Sequence, residues 1–257
     1  MLRSRVIPCL LVHNKGLVKT VKFKSPKYVG DPINAVKIFN EKEVDELIVL
    51  DIDATVNGVE PNYQMIEYLA NESRMPLCYG GGVKTPEQAQ QIIKLGVEKV
   101  ALSSEVISNP KILVDIANII GRQSVVVVLD IKKTIFGSYE IYSHNGKKKV
   151  KKNLFEFIAE LEAIGIGELV INSIDNDGVM KGYDLALIKK VREYVSVPLT
   201  VLGGAGSADD ILNLIDEYKI IGASAGSLFV FKGVYKAVLI NYLPELILNK
   251  IRQISKR

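Results

Sequence analysis

"DELIVLDID" (45–53) and "GELVINSID" (167–175) are two versions of one strand-like stretch, set 122 residues apart. The match continues downstream. "MPLCYGGGV" (75–83) returns as "VPLTVLGGAG" (197–206), and with one inserted residue Ser104 returns as Ser227. Self-similarity at a fixed long period is the mark of a duplicated structural unit. Around these copies, short apolar runs alternate with helical patterns along the whole chain: "PLCYG", "KVAL", "VVVVLDI", "ELVINSID", "PLTVLGG" and "IIGASAG". Runs this rich in β-branched residues, separated by helices, read as parallel strands buried on both faces. One intervening stretch, "NLFEFIAELEAIG" (153–165), shows the helical pattern. Asn153 can cap, Glu156 follows three residues later, and Leu154, Phe157, Ile158, Leu161 and Ile164 form one apolar stripe ending at Gly165.

Counting from residue 5 gives eight strand–helix units. Four units present twice close naturally into a (βα)8 TIM barrel built from two (βα)4 half-barrels, and an open doubly wound sheet explains the repeat less well. The expected organisation is one domain over residues 1–257, with half-barrels of approximately 1–122 and 123–257.

Composition narrows the function. Hydrophobic residues at 48% and charged residues at 24% are ordinary for a globular chain, and a net charge of +4 is too small to imply nucleic acid. No run reaches the ~18 apolar residues of a membrane helix, and the N-terminus enters a strand without a signal-peptide pattern. Cys9 and Cys78 sit inside apolar runs, which fits a reduced, cytoplasmic protein. Two histidines and no ligand spacing argue against a metal site, and no cofactor is expected.

Barrel chemistry gathers at the C-terminal strand ends. There each half carries a glycine cluster after its third strand: Gly80, Gly81 and Gly82 in one, Gly203, Gly204 and Gly206 in the other. Each half then carries small polar residues after its fourth strand, Ser103 and Ser104 against Gly226 and Ser227. Glycine lets backbone N–H groups approach an anion closely. Two symmetric cradles imply an elongated small molecule with two phosphates or similar anionic groups, and the sequence leaves open two phosphates or one pyrophosphate. The loops on this face are basic after strands one and five, and Lys19 is the cation singled out for the ligand.

At the opposite end, Arg5, Glu46, Lys99 and Glu168 stand at the starts of strands one, two, four and six. Two cations and two anions around a barrel bottom form a compensating ring, which by itself could be a stabilising plug or a passage.

The stretches "VIPCL", "GLVK", "GDP", "DELIVLDI", "GGGVKTPEQA", "LGVEKV", "NSIDNDGV", "GGAG" and "AGSLF" together resemble the cyclase (HisF) subunits of imidazole glycerol phosphate synthase, in order and over nearly the whole chain. The resemblance implies a barrel that takes ammonia from a separate glutaminase docked at its N-terminal face and uses it on a bisphosphorylated substrate. Carried over by position, it implies phosphate contacts at Gly82, Ser103, Ser104, Asp177, Gly178, Gly204, Gly226 and Ser227, and Lys19, Gly81, Asn172 and Gly203 join them as candidate substrate contacts on the same face. It also makes Arg5, Glu46, Lys99 and Glu168 the ammonia gate.

One departure decides the finer reading. The family's two catalytic aspartates end strands one and five; Asp130 matches the second, and Leu11 occupies the first. Leucine cannot move a proton, and general acid–base catalysis is worth ~10²–10⁴-fold. Asp51 or Asp53 could substitute only from another strand. Ser103, Asn172 and Leu202 are further departures at the same face. "CLLV", "GLVKTVKFKSPKYVGDPINA" and "GSLFVFKG" look much like a divergent HisF-like branch associated with surface-polysaccharide genes. There the ammonia is thought to turn an acetamido group on a nucleotide-linked sugar into an acetamidino group, with a third, ATP-dependent amidotransferase protein activating the amide. Two alternatives remain at this stage: a histidine-pathway cyclase/lyase with a substituted acid, and a non-catalytic ammonia conduit that activates the glutaminase.

Overall fold

A computed structural model describes residues 3–255. The outermost two residues at each end of the expected 1–257 domain lie outside those described. Eight parallel strands follow the expected order: β1 (Arg5–His13), β2 (Leu47–Asp51), β3 (Leu77–Gly80), β4 (Lys99–Leu102), β5 (Val125–Lys133), β6 (Glu168–Ser173), β7 (Leu199–Leu202) and β8 (Gly222–Ala225). Each pairs with the next, and β1 pairs with β8 through Arg5–Gly222 to Pro8–Ala225. The sheet therefore closes, and the open-sheet alternative is excluded.

Eight helices cover the barrel: α1 (Pro32–Glu41), α2 (Tyr63–Glu72), α3 (Pro86–Lys94), α4 (Ile112–Ile120), α5 (Leu154–Ile164), α6 (Leu185–Arg192), α7 (Ala208–Tyr218) and α8 (Glu245–Ile254). Their ends are fixed by local chemistry. Asn153 Oδ1 accepts from the N–H groups of Phe155 and Glu156, Leu154, Phe157, Ile158 and Leu161 are buried, and Gly165 ends α5 in the left-handed conformation. Thr85 and Gln88 form a reciprocal capping box at α3.

Period-two alternation splits the core in two. One face of the strands packs against the helices in a large cluster that includes Phe39, Tyr79, Phe157 and Phe229. The other face fills the barrel with a small separate cluster: Ile7, Cys9, Ile48, Cys78, Ala101, Val126, Val128, Val170 and Leu202, with Leu11 and Leu50 against it. Residues that continue this inward register past either end of the cluster emerge at the bottom or the mouth.

The basic segments on the mouth side are not open loops. A β-ribbon of Gly16–Val21 and Lys24–Gly30 folds back along β1, and a hairpin strand, Tyr139–Ser143, folds back along β5.

Candidate active site and ammonia gate

At the bottom, the inward register delivers Arg5, Lys99 and Glu168 from the first residues of β1, β4 and β6, and Glu46 from the residue before β2. They form one closed ring. Arg5 donates to Glu168 Oε1 at 2.8 Å and Oε2 at 3.2 Å and also to Glu46. Lys99 Nζ donates to Glu46 Oε1 at 2.7 Å and to Glu168 Oε2 at 2.8 Å. Both carboxylates are 3% exposed, so pairing is what makes their charge tolerable. Burial alone would raise Glu168, but Arg5 and Lys99 outweigh it and hold this carboxyl below its ordinary range. Burial likewise opposes the Lys99 charge, and Glu168 and Glu46 overcome it and raise the ammonium. A fifth member was not legible in the sequence: Thr200 Oγ1 on β7 donates to Glu168 Oε1 at 2.5 Å. A threonine inside an apolar strand carries no signal of its own.

At the mouth one cavity gathers Leu11, Asp130 and every residue expected to contact substrate, from Lys19 through Ser227. The two glycine turns match in detail. A Cβ on Gly81 (φ +130°) would sit 2.5 Å from the Asp51 carbonyl oxygen, and one on Gly203 (φ +93°) would sit 2.7 Å from that of Ser173. Gly81 and Gly203, like Asp51 and Ser173, are 122 positions apart. In both halves the turn after the third strand passes so close to the end of the second that only glycine fits. Ser103 and Gly226 then occupy the N-cap positions of two short helices, Ser104–Ser108 and Ser227–Val230.

Asp130 projects from β5 beside Asn172 on β6, its partner in register, and Asn172 Nδ2 donates to Asp130 Oδ1 at 2.9 Å. Burial pushes the Asp130 carboxyl up to about 7; the Asn172 hydrogen bond opposes this and the Asp177 charge adds to it. It can therefore exchange a proton near neutrality. Leu11 lies across the mouth in register with Leu50, and both line the cavity. Of the two carboxylates that could replace it, Asp51 lines the cavity with its carboxyl raised by burial, while both oxygens of Asp53 are hydrogen-bonded. Asp51 Oδ1 accepts from the N–H groups of Asp53 at 2.9 Å and Ala54 at 3.1 Å, and Asp53 accepts from His13 Nδ1 and the Asn14 N–H, both at 2.7 Å.

Lys19 is 5% exposed, not a mobile surface cation. Its Nζ donates to the Cys9 carbonyl oxygen beside Gly226, and burial lowers its pKa against the pull of Cys9 and Asp177. Asp177 acts on protein groups: its Oδ2 accepts from Thr20 Oγ1 at 2.7 Å and from the Phe23 N–H at 3.2 Å. With the Lys22 N–H donating to the Asp177 carbonyl oxygen at 2.9 Å, this pins the ribbon over the mouth. Gly178 is set against the same ribbon, within 2.0 Å of the Thr20 carbonyl oxygen for an added Cβ.

His144 and Asn145 also line the cavity. The Asn145 side chain donates to the Ile52 carbonyl oxygen at 2.8 Å, reaching from the β5 hairpin to the loop after β2. The Asn145–Gly146 pair marks a turn in the sequence, but not where the turn lands.

The chain is thus a closed (βα)8 barrel with paired glycine turns and a titratable carboxyl at its mouth, over an ion-pair ring at its base. The family described as "Histidine biosynthesis protein" matches residues 5–236. A Vibrio vulnificus protein provisionally named imidazole glycerol phosphate synthase subunit hisF3 is 63% identical over 94% of both chains. A Pseudomonas aeruginosa protein provisionally named subunit hisF2 is 51% identical over 94% of this chain and 96% of its own. The imidazole glycerol phosphate synthase subunit HisF of Streptococcus sanguinis is 37% identical over 89% of this chain and 91% of its own. The chain belongs to this family and is a HisF-like synthase subunit.

Among the described residues no helix is long and apolar enough to cross a membrane, and no group of three His, Cys, Asp or Glu side chains could hold a metal ion.

Proposed function

We propose that this barrel is the synthase subunit of a cytoplasmic glutamine amidotransferase complex that receives ammonia at its base from a HisH-like glutaminase. It delivers that ammonia at its mouth for amidination of a nucleotide-linked sugar in surface-polysaccharide biosynthesis. The observation that carries this reading is the contrast at Leu11. The ion-pair ring and both glycine cradles are intact, while the strand-one acid is a leucine packed beside Leu50. Asp53 is committed to local hydrogen bonds through both oxygens, and Asp51 would have to act from β2, in register with Val12 rather than Leu11.

The cradles suit the phosphates of a nucleotide-linked sugar, and Arg5, Glu46, Lys99 and Glu168 serve as the gate. Cys9 and Cys78 are buried in the barrel interior, and burial pushes both thiols up, so neither provides a glutaminase nucleophile. A third protein that activates the sugar amide fits over the mouth. Two turns on that side expose apolar pairs, Ile135 (94%) with Phe136 (91%) and Val234 (90%) with Tyr235 (94%).

The second reading is a histidine-pathway cyclase/lyase, favoured by Asp130 with its carboxyl near 7 and by the HisF relatives. Two assays separate these readings from each other and from a pure conduit. The chain is expected not to rescue a strain lacking the cyclase, and calorimetry is expected to show nucleotide-sugar binding that inorganic phosphate competes away. Rescue would make the cyclase reading lead. Absence of both rescue and binding would leave a conduit. A Lys99→Ala variant tests the gate: glutamine-dependent ammonia transfer should be lost, and an unchanged flux would sink the assignment.

A further inference from the structure

The polar tier where the barrel interior opens into the mouth contains an acceptor that none of the described residues satisfies. Asn172 is 6% exposed, its Nδ2 is spent on Asp130, and its Oδ1 has no hydrogen-bond partner among the described residues. That oxygen faces the β7 turn, 3.2 Å from where a Cβ on Gly203 would lie, and both residues line the cavity. A buried acceptor without a partner is unfavourable, so its retention asks for a ligand that donates to it. The adjoining Asp130 carboxyl opposes an anion there and favours a neutral or cationic N–H donor.

The path from below leads to this point. On β6 the inward side chains run Glu168, Val170, Asn172, and on β5 they run Val126, Val128, Asp130, in register. From the Glu168 carboxylate to Asn172 is four residues, ~13 Å of strand, with only valine between. On this wall Asn172 and Asp130 are the first hydrogen-bonding side chains above the gate.

We propose that Asn172 Oδ1 and Asp130 form a docking station for ammonia or ammonium, holding the nitrogen at the inner edge of the cavity where the acceptor's reacting carbon must come. The assignment rests on the delivery reading and adds the place where delivery ends. Oδ1 accepts one N–H, the Asp130 carboxylate accepts a second, and the valines below supply no competing acceptor. No bond is made or broken at this step. Asn172 and Asp130 orient the nitrogen, and Asp130 in its ionised form can take the proton that ammonium must shed before its lone pair attacks.

The test is a nuclear magnetic resonance titration of the full chain, labelled with 15N at asparagine and glycine. The probe is ammonium chloride, balanced against tetramethylammonium chloride at constant ionic strength. The expected result is a saturable shift of the Asn172 side-chain amide and the Gly203 backbone amide. Read at Gly203, the apparent dissociation constant should rise at least tenfold in Asn172→Leu and in Asp130→Asn. If tetramethylammonium, which has no N–H, gives the same shifts, if no saturable shift occurs, or if both variants bind like the parent, the station is wrong. The parent titration decides alone should Asn172→Leu fail to fold. Because ammonium is added directly, the gate and glutaminase play no part. A station that binds alongside an unchanged flux in Lys99→Ala would break the delivery reading only, and the converse would break only the station.

Discussion

The two ends of the barrel handle charge in opposite ways. At the base, Arg5, Lys99, Glu46 and Glu168 cancel one another, and each charged atom finds a partner within the ring. At the mouth, Asp130 is pushed to about 7, Lys19 is buried with its pKa lowered, and the Asn172 carbonyl is unsatisfied. The base is complete without a ligand, and the mouth is not. A closed set of interactions favours stability, whereas an unpaired buried acceptor beside a carboxyl raised to about 7 marks a candidate site for a ligand.

The largest effect should come from breaking the complete end. Glu168→Ala leaves Arg5 and Lys99 short of a counter-charge and strands the Thr200 hydroxyl, and should cost about 3–5 kcal/mol in urea unfolding. The depressed Glu168 carboxyl also fixes a sign. Its contribution is present above the unfolded-state carboxyl range and disappears as pH falls through the lower folded value, so the acid limb of the parent's stability curve should flatten in the variant.

Gly203→Ala tests the cradle. With φ at +93° and the Ser173 carbonyl oxygen 2.7 Å from the new Cβ, it should cost about 1–3 kcal/mol and weaken anion binding measured by calorimetry. Unchanged phosphate or nucleotide-sugar binding would remove this turn from the site.

Asp130→Asn sharpens the contrast through pH. A carboxyl raised to about 7 when folded holds its proton more tightly than when unfolded, so the parent should lose stability as pH rises from about 4 to about 7. The variant should lack that slope, opposite in sign to the Glu168 effect. The smallest change is expected from Thr20→Val, which removes one hydrogen bond to Asp177 at a cost of about 1 kcal/mol. Faster amide hydrogen exchange over residues 16–30 with an unchanged barrel core would confirm that this bond pins the ribbon.

The same contrast explains what was legible in the sequence. The strand copies at 45–53 and 167–175 carried the fold, because a repeat is written in consecutive residues. The ring was legible because a charge at or just before the first residue of an apolar barrel strand lies at the barrel bottom. The tight turns after the third strand of each half were legible as glycine clusters, and the Asp51 and Ser173 contacts supply their physical reason. What stayed hidden depends on contacts between distant segments. Thr200 joins the ring from β7, Asp177 turns to Thr20 and Phe23, Asn145 reaches Ile52, and Lys19 is buried by the ribbon that carries it. Lysine-rich stretches that read as basic loops are β-ribbons, since their register is set by pairing with β1 and β5. The orphaned Asn172 oxygen is visible only once its neighbours are in place.

The central claim is that the barrel kept its base and gave up the chemistry of its mouth at Leu11. It is tested most directly by turnover of the histidine-pathway cyclase substrate with ammonium salt supplied directly, comparing the native chain with Leu11→Asp. Added ammonium removes any dependence on the gate or a glutaminase, so only the mouth is assayed. The account predicts no measurable turnover by the native chain, with any activity confined to the aspartate variant. Appreciable turnover by the native chain would contradict it and restore the cyclase reading.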